Sequence, residues 1–136
     1  MGPEKVRSGL WEWLESPEPV FELDDDASVA ELLATLRERG LDARTIDLGP
    51  ISGKAELLGA LHRVLELDEW FGFNWDALEE ALHGPDDQDS AGRVLVCVGF
   101  RQFESRAPGD AEIFIDIVRS VASTPKSGLR GCVLIP

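Results

Sequence analysis

At 136 residues, 43% hydrophobic and 29% charged, the chain has the length of one ordinary domain and enough apolar content to fill a core without disulfides or a metal, which excludes disordered and collagen-like classes. A formal net charge of −13 at pH 7 repels phosphate backbones and anionic lipid, so neither nucleic acid nor a membrane is expected as a partner. The opening segment MGPEKVRSGLWEWLESPEP lacks the apolar run of a signal peptide, and no stretch approaches the ~20 apolar residues of a transmembrane helix, so the expected location is the cytoplasm.

In chain order, Ser8 to Leu14 reads as a short helix and Val20 to Leu23 as an edge strand. Trp11 and Trp13 are one residue apart, so on a helix they cannot share a face; one is expected to dock on the core and the other to stay at the surface. Ser28 followed by Glu31 has capping-box spacing and predicts a helix through Leu32, Leu33 and Leu36, ended by Gly40. Ala43 to Leu48 reads as a strand, and Ser52 to Leu65 as a helix with Leu57, Leu58, Leu61, Val64 and Leu65 on one face. Asn74 predicts the cap of a second short helix to Leu82, ended by Gly84 and Pro85. Arg93 to Val98 (RVLVCV) reads as a buried strand, Asp110 to Ala122 as a helix and Leu129 to Ile135 as a final strand.

Strands separated by helices of this length predict an α/β fold, a small parallel sheet with right-handed crossovers flanked by helices. Three core strands are expected, with room for a fourth from the N-terminal region, all in a single domain spanning 1–136. Cys97 and Cys132 fall in apolar strand-like runs and are expected to be buried reduced thiols. No metal-ligand spacing is present, and GPISGK at 49–54 lacks the Walker A pattern, so neither metal nor cofactor is expected.

The segment 66–90, ELDEWFGFNWDALEEALHGPDDQDS, carries nine carboxylates and no Lys or Arg, with Trp70, Phe71, Phe73 and Trp75 interleaved. At about 100° per residue, Asp76, Glu79 and Glu80 gather on one side of the helix and Ala77, Leu78, Ala81 and Leu82 on the other. Like charges three and four apart cost a few tenths of a kcal/mol per pair, partly regained by Asp76 at the positive end of the helix dipole. Exposed charge alone needs no function, but two features point to a partner. Trp70 and Phe71 sit in a loop before Gly72, where large aromatics are harder to explain as core than at helical spacing. The carboxylates also have no local cation, which leaves their field available to a basic partner.

Catalytic signals are weaker. Paired carboxylates for acid–base work belong in a cleft, whereas Asp76 and Glu80 would lie on a convex helix surface. His62 reads as a partly buried packing residue, and His83 as a partner of the helix C-terminus bordering the acidic face. Neither histidine has a Ser or Cys at nucleophile spacing.

The runs ISGKAELLGALHRVLELDEWFGFNWDALEEALHG (51–84), VCVGFRQFESR (96–106), AEIFIDIVRSVA (111–122) and RGCVLIP (130–136) resemble the barstar family of intracellular ribonuclease inhibitors. The most specific parts are the aromatic-aromatic-Gly-x-Asn-x-Asp-Ala-Leu run at 70–78 and FRQFE at 100–104. Coverage is about 43–136, with residues 1–42 standing as an N-terminal extension that packs on the core. The resemblance implies a basic secreted microbial ribonuclease as partner in a 1:1 complex, its active site plugged by the second family helix and the loop before it. It implies a binding set of Trp70, Phe71, Gly72, Asn74, Trp75, Asp76, Glu79, Glu80 and His83, with no catalytic or metal-binding residue. Trp70 and Phe71 stand where the family often has tyrosines, and Glu80 where it has the aspartate that enters the phosphate-binding part of the enzyme cleft. Glu79 replaces a tryptophan of the best-known member, and Ser120 a second contacting glutamate, so the enzyme recognised is expected to differ. FRQFE itself reads as structural, with Phe100 and Phe103 capping the sheet edge and Arg101 and Glu104 making local polar contacts. An inhibitor is thus the leading expectation; the alternatives are a non-inhibitory acidic adaptor on the same fold and a hydrolase using Asp76 and Glu80.

Overall fold

The computed structural model describes residues 3–23, 28–83, 92–125 and 127–136. Along the chain run α1 (Pro3–Glu15), β1 (Val20–Glu22), α2 (Val29–Glu38), β2 (Asp42–Asp47), α3 (Lys54–Val64), α4 (Trp75–His83), β3 (Arg93–Val98), α5 (Phe100–Arg106), α6 (Pro108–Ala122) and β4 (Leu129–Ile135). The strands form one sheet in the order β1-β4-β3-β2, every neighbouring pair parallel. β3 and β4 are central and covered on both faces, which is why their sequences are almost continuously apolar rather than alternating. The fourth strand comes from the N-terminal region and forms one edge.

Alternation along β3 divides the interior in two. Leu95 and Cys97 point into a cluster with Leu57 and Leu61 of α3, Leu78 and Leu82 of α4, Phe103 of α5 and Phe114 of α6. Val94 and Val96, with Val133 and Ile135 of β4, point the opposite way, onto Leu10 and Trp13 of α1 and Leu32 and Leu36 of α2. α1 and α2 therefore cover this face of the sheet. Burial of each such side chain contributes about 1.5–3 kcal/mol.

Three consecutive residues of β4 fasten that N-terminal part. Gly131 has φ +152°, and a Cβ on it would lie 1.9 Å from the Pro19 carbonyl oxygen, so only glycine lets the entry to β1 pass this close. That carbonyl accepts from Cys132 N at 2.9 Å. Opposite Arg93 and Val94 the register jumps from Leu129 to Gly131, leaving Arg130 as a bulged residue. The bulge sends its guanidinium to the end of α1, where it donates to the carbonyls of Trp13, Ser16 and Glu18 at 2.6, 2.8 and 2.9 Å.

The caps expected for α2 are observed, whereas α6 starts at Pro108, two residues before the expected Asp110. The Ser28 hydroxyl accepts from Glu31 N at 3.3 Å, and Gly40 just beyond α2 has φ +81°. α3 begins at Lys54 rather than Ser52, because Ser52 donates its backbone N–H to Glu56 and stays outside the first turn. α1 is longer than expected. Trp13 is buried under Arg130, whereas Trp11 is half-buried with the Arg39 guanidinium 3.3 Å from its ring centre.

FRQFE opens a short helix, α5. Phe100 and Phe103 are buried as expected, but Arg101 and Glu104 are exposed and make no hydrogen bond or ion pair with a described residue. Cys97 and Cys132 are buried free thiols on adjacent strands. The expected helix stop at Gly84 and Pro85 lies outside the described residues, and among those described no helix is long and apolar enough to cross a membrane.

Candidate partner-binding site

Between α3 and α4 the chain makes a loop pinned from inside by one histidine. His62 Nε2–H donates to the Asp68 carbonyl at 3.0 Å, the only role open to a ring nitrogen facing an acceptor, and Phe71 N–H donates to the same carbonyl at 3.2 Å. The Asp68 carboxylate accepts from Trp70 N at 2.9 Å, an Asx turn that tightens the bend. Phe71 lies nearly parallel to His62, 5.9 Å between centroids and 19° between planes, and is only 9% exposed. Trp70, its neighbour, is 84% exposed. The expectation that both loop aromatics lie outside the core thus holds for Trp70 alone; Phe71 is the packing residue that holds the loop against α3.

Asn74 caps α4 as expected: its Oδ1 accepts from Ala77 N at 2.8 Å, while its Nδ2 reaches back to the Gly72 carbonyl at 3.4 Å. Gly72 is exposed and tightly flanked, since a Cβ there would lie 3.2 Å from Asn74 Nδ2. Leu78 and Leu82 anchor α4 in the core. Asp76 and Glu80 are exposed, and Glu79 is half-buried, so the carboxylate face stands away from the sheet. Trp75 is half-buried under the Lys54 ammonium, 5.6 Å from its ring centre. His83 is half-buried at the helix end, where its carbonyl accepts from Gly128 N at 2.9 Å.

The charge of this region is not wholly unpaired. Glu66 bonds Arg44 of β2 at 3.0 Å, a cation from outside the segment that the local sequence could not reveal. Glu69, Asp76, Glu79 and Glu80 have no ion-pair partner among the described residues, and Asp86, Asp87 and Asp89 lie outside them. Between the loop and α4 runs a shallow groove of about 420 Å³, walled by Trp70 and Phe71 on one side and Ala77, Glu80 and Ala81 on the other.

Phe73 was outside the expected binding set, yet it is 49% exposed and packs edge-on against Phe71 and at a tilt against His62. A large apolar residue directly before a helix cap, in a loop that already holds Trp70, was the signal available for it. Ser120 is exposed on α6.

Residues 41–130 match the profile of the barstar (barnase inhibitor) family. The chain belongs to the barstar family. The barstar match runs from the start of β2 to Arg130 and so includes the loop, α4 and FRQFE, whereas α1, β1 and α2 precede it. No curated protein matches the chain. Barstars are inhibitors rather than enzymes, and a mixed α/β fold around an all-parallel sheet accords with membership.

Proposed function

We propose that this barstar inhibits a barnase-type, guanyl-preferring secreted ribonuclease in a 1:1 complex, with α4 and the preceding loop covering the enzyme's active site. The observation that carries the reading is the juxtaposition of the carboxylate face of Asp76, Glu79 and Glu80, which have no ion-pair partner among the described residues, and the exposed ring of Trp70. A ribonuclease cleft is built to hold a phosphate with cationic groups. A carboxylate accepts the same charge-assisted bonds, two at once from an arginine. Glu80 is the residue proposed to enter that cleft, one methylene longer than the family's aspartate, while Trp70 supplies stacking area without a hydroxyl to hydrogen-bond. Phe71, Gly72 and Asn74 act from behind, by fixing where Trp70 and the first turn of α4 stand.

A hydrolase would need its acid and base in a cleft that separates their proton affinities. Asp76 and Glu80 are exposed on a helix surface, which favours the inhibitor. The proposed place of action is the cytoplasm.

The test is RNA cleavage by a panel of secreted guanyl-preferring ribonucleases titrated with the purified protein. Loss of cleavage by one enzyme at a 1:1 ratio is the expected result; a panel left fully active at excess protein would overturn the reading and leave the adaptor.

A further inference from the structure

Among the described residues three large hydrophobic side chains are exposed, Trp70, Phe73 and Ile113, and two of them belong to one four-residue stretch. Single exposed apolar residues need no explanation. Phe73 differs because its backbone also lies in the left-handed region, with φ +51°. A bulky L-residue enters that region at a steric cost that glycine or asparagine avoids. The chain therefore carries two unfavourable features at one position, a strained backbone and a wetted ring, where Asn would cost less on both counts. Strain of this kind clusters at binding sites, where the surrounding structure holds it in place.

The surroundings of Phe73 hold it firmly. One side of the ring meets His62, 5.0 Å away at 44°, and Phe71, 4.9 Å away at 61°. His62 is in turn fixed by the Asp68 carbonyl.

What would cover the exposed part follows from the charge around it, together with how this chain covers its other three tryptophans. Arg39 lies over Trp11, Arg130 over Trp13 and Lys54 over Trp75. Trp70 and Phe73 have no such cation among the described residues, although they stand in the most acidic part of the described chain, beside the exposed Asp68, Glu69 and Asp76. An aromatic ring amid unpaired carboxylates is a favourable seat for an arginine or lysine side chain.

We propose that Phe73 is a specificity-determining contact that extends the inhibitory surface past Trp70, and that its exposed ring receives a cationic side chain from the rim of the bound ribonuclease. The proposal rests on the inhibitor reading above. It adds a residue on the far side of Gly72 from Trp70, so that two rings flank the loop tip and select enzymes bearing a cation at that point of the rim.

The test uses the full-length protein and a ribonuclease that it inhibits, with Kd measured by calorimetry for Phe73→Asn, Phe73→Leu and Glu80→Ala. Asn is at ease in the left-handed region, so Phe73→Asn relieves strain while removing the ring, and near-UV circular dichroism reports whether the loop stays folded. Leu keeps an apolar contact with His62 but has no π face. Both Phe73 variants are expected to raise Kd about tenfold, the worth of one desolvated cation–π contact. Unchanged affinity in Phe73→Asn, with Glu80→Ala weakened, would remove Phe73 from the surface and leave the inhibitor reading standing. Full affinity in Phe73→Leu with loss in Phe73→Asn would overturn the cationic occupant. A panel in which no ribonuclease is inhibited by the unsubstituted protein would overturn both proposals together.

Discussion

The Arg130 guanidinium lies 4.4 Å from the centre of the Trp13 ring and donates to the Trp13 carbonyl oxygen at 2.6 Å. One bulged side chain of β4 thereby covers the face of the indole and adds donors to the carbonyls of Trp13, Ser16 and Glu18 where the chain leaves α1. Desolvation lowers the Arg130 pKa from its ordinary value, and the nearby charge of Glu18 offsets this only in part, the pattern of a cation held mainly by neutral carbonyls.

Arg130→Ala is therefore expected to destabilise the fold by about 2–3 kcal/mol, the worth of charge-assisted bonds lost with a partly buried ring. Lys at this position should recover less than half, because one ammonium cannot span three carbonyls as a guanidinium fork does. Urea denaturation of the two variants measures both. Equal stability of Arg130→Ala and the unsubstituted protein would mean that the clamp is ornamental.

The two-sided sheet makes a second prediction. Removing residues 1–40 uncovers Val94, Val96, Val133 and Ile135, four apolar side chains at about 1.5–3 kcal/mol each. The shortened chain is expected to bind hydrophobic dyes and to aggregate. A soluble, cooperatively melting fragment would show that the family-matched region is self-sufficient.

Much of this architecture is legible in the sequence because the signals are local. Ser28 with Glu31, and Asn74 ahead of Ala77, are caps whose partners lie three residues away, and RVLVCV carries its burial in its composition. Where the partner is distant, the reading fails. Phe71 and Trp70 are adjacent and chemically alike, and only the ring of His62, on another helix, decides which of them is buried. Glu66 looks unpaired until β2 brings Arg44 beside it. α5 is short and has no side-chain cap; it starts after Gly99, at φ +73°, so neither period nor cap announces it.

Cys97 gives a pH dependence with a definite sign. Its hydrogen bond with Cys132, and then burial, push its pKa well above the ordinary thiol value. The folded state therefore keeps its proton to higher pH than the unfolded chain, whose thiol ionises near about 8.5. This contribution is fully present below that pH and is lost above it, at about 1.4 kcal/mol per pH unit, until the folded thiol itself ionises. Urea midpoints between pH 8 and 10 should fall more steeply for the unsubstituted protein than for Cys97→Ala. The double variant Cys97→Ala and Cys132→Ala should still inhibit, since both thiols lie in the sheet; loss of inhibition with the fold intact would contradict this.

Glu80→Ala is expected to weaken ribonuclease binding by about 2–5 kcal/mol, the cost of leaving a cation of the enzyme cleft buried without its acceptor. Glu104→Ala, at an exposed position of α5, should stay within about 0.5 kcal/mol. Calorimetric titration compares them directly, and equal losses would take Glu80 out of the site.

Salt should act mainly on encounter. Glu69, Asp76, Glu79 and Glu80 are unpaired among the described residues, whereas Glu66 is already neutralised by Arg44, so the steering field is smaller than the count of carboxylates in 66–90 suggests. It remains of one sign and concentrated on the face proposed to meet a basic enzyme. Screening over about 8 Å at physiological ionic strength weakens that field while the partners are still apart, but reaches poorly into charges desolvated in the complex. The association rate is thus expected to fall about tenfold or more between low and high salt, with dissociation changing far less. Arg44→Ala, which frees the Glu66 carboxylate, should steepen the salt dependence of association without touching α4. A stopped-flow salt series on both proteins measures this, and an association rate indifferent to ionic strength against a basic ribonuclease would reduce the acidic face to a solvated surface.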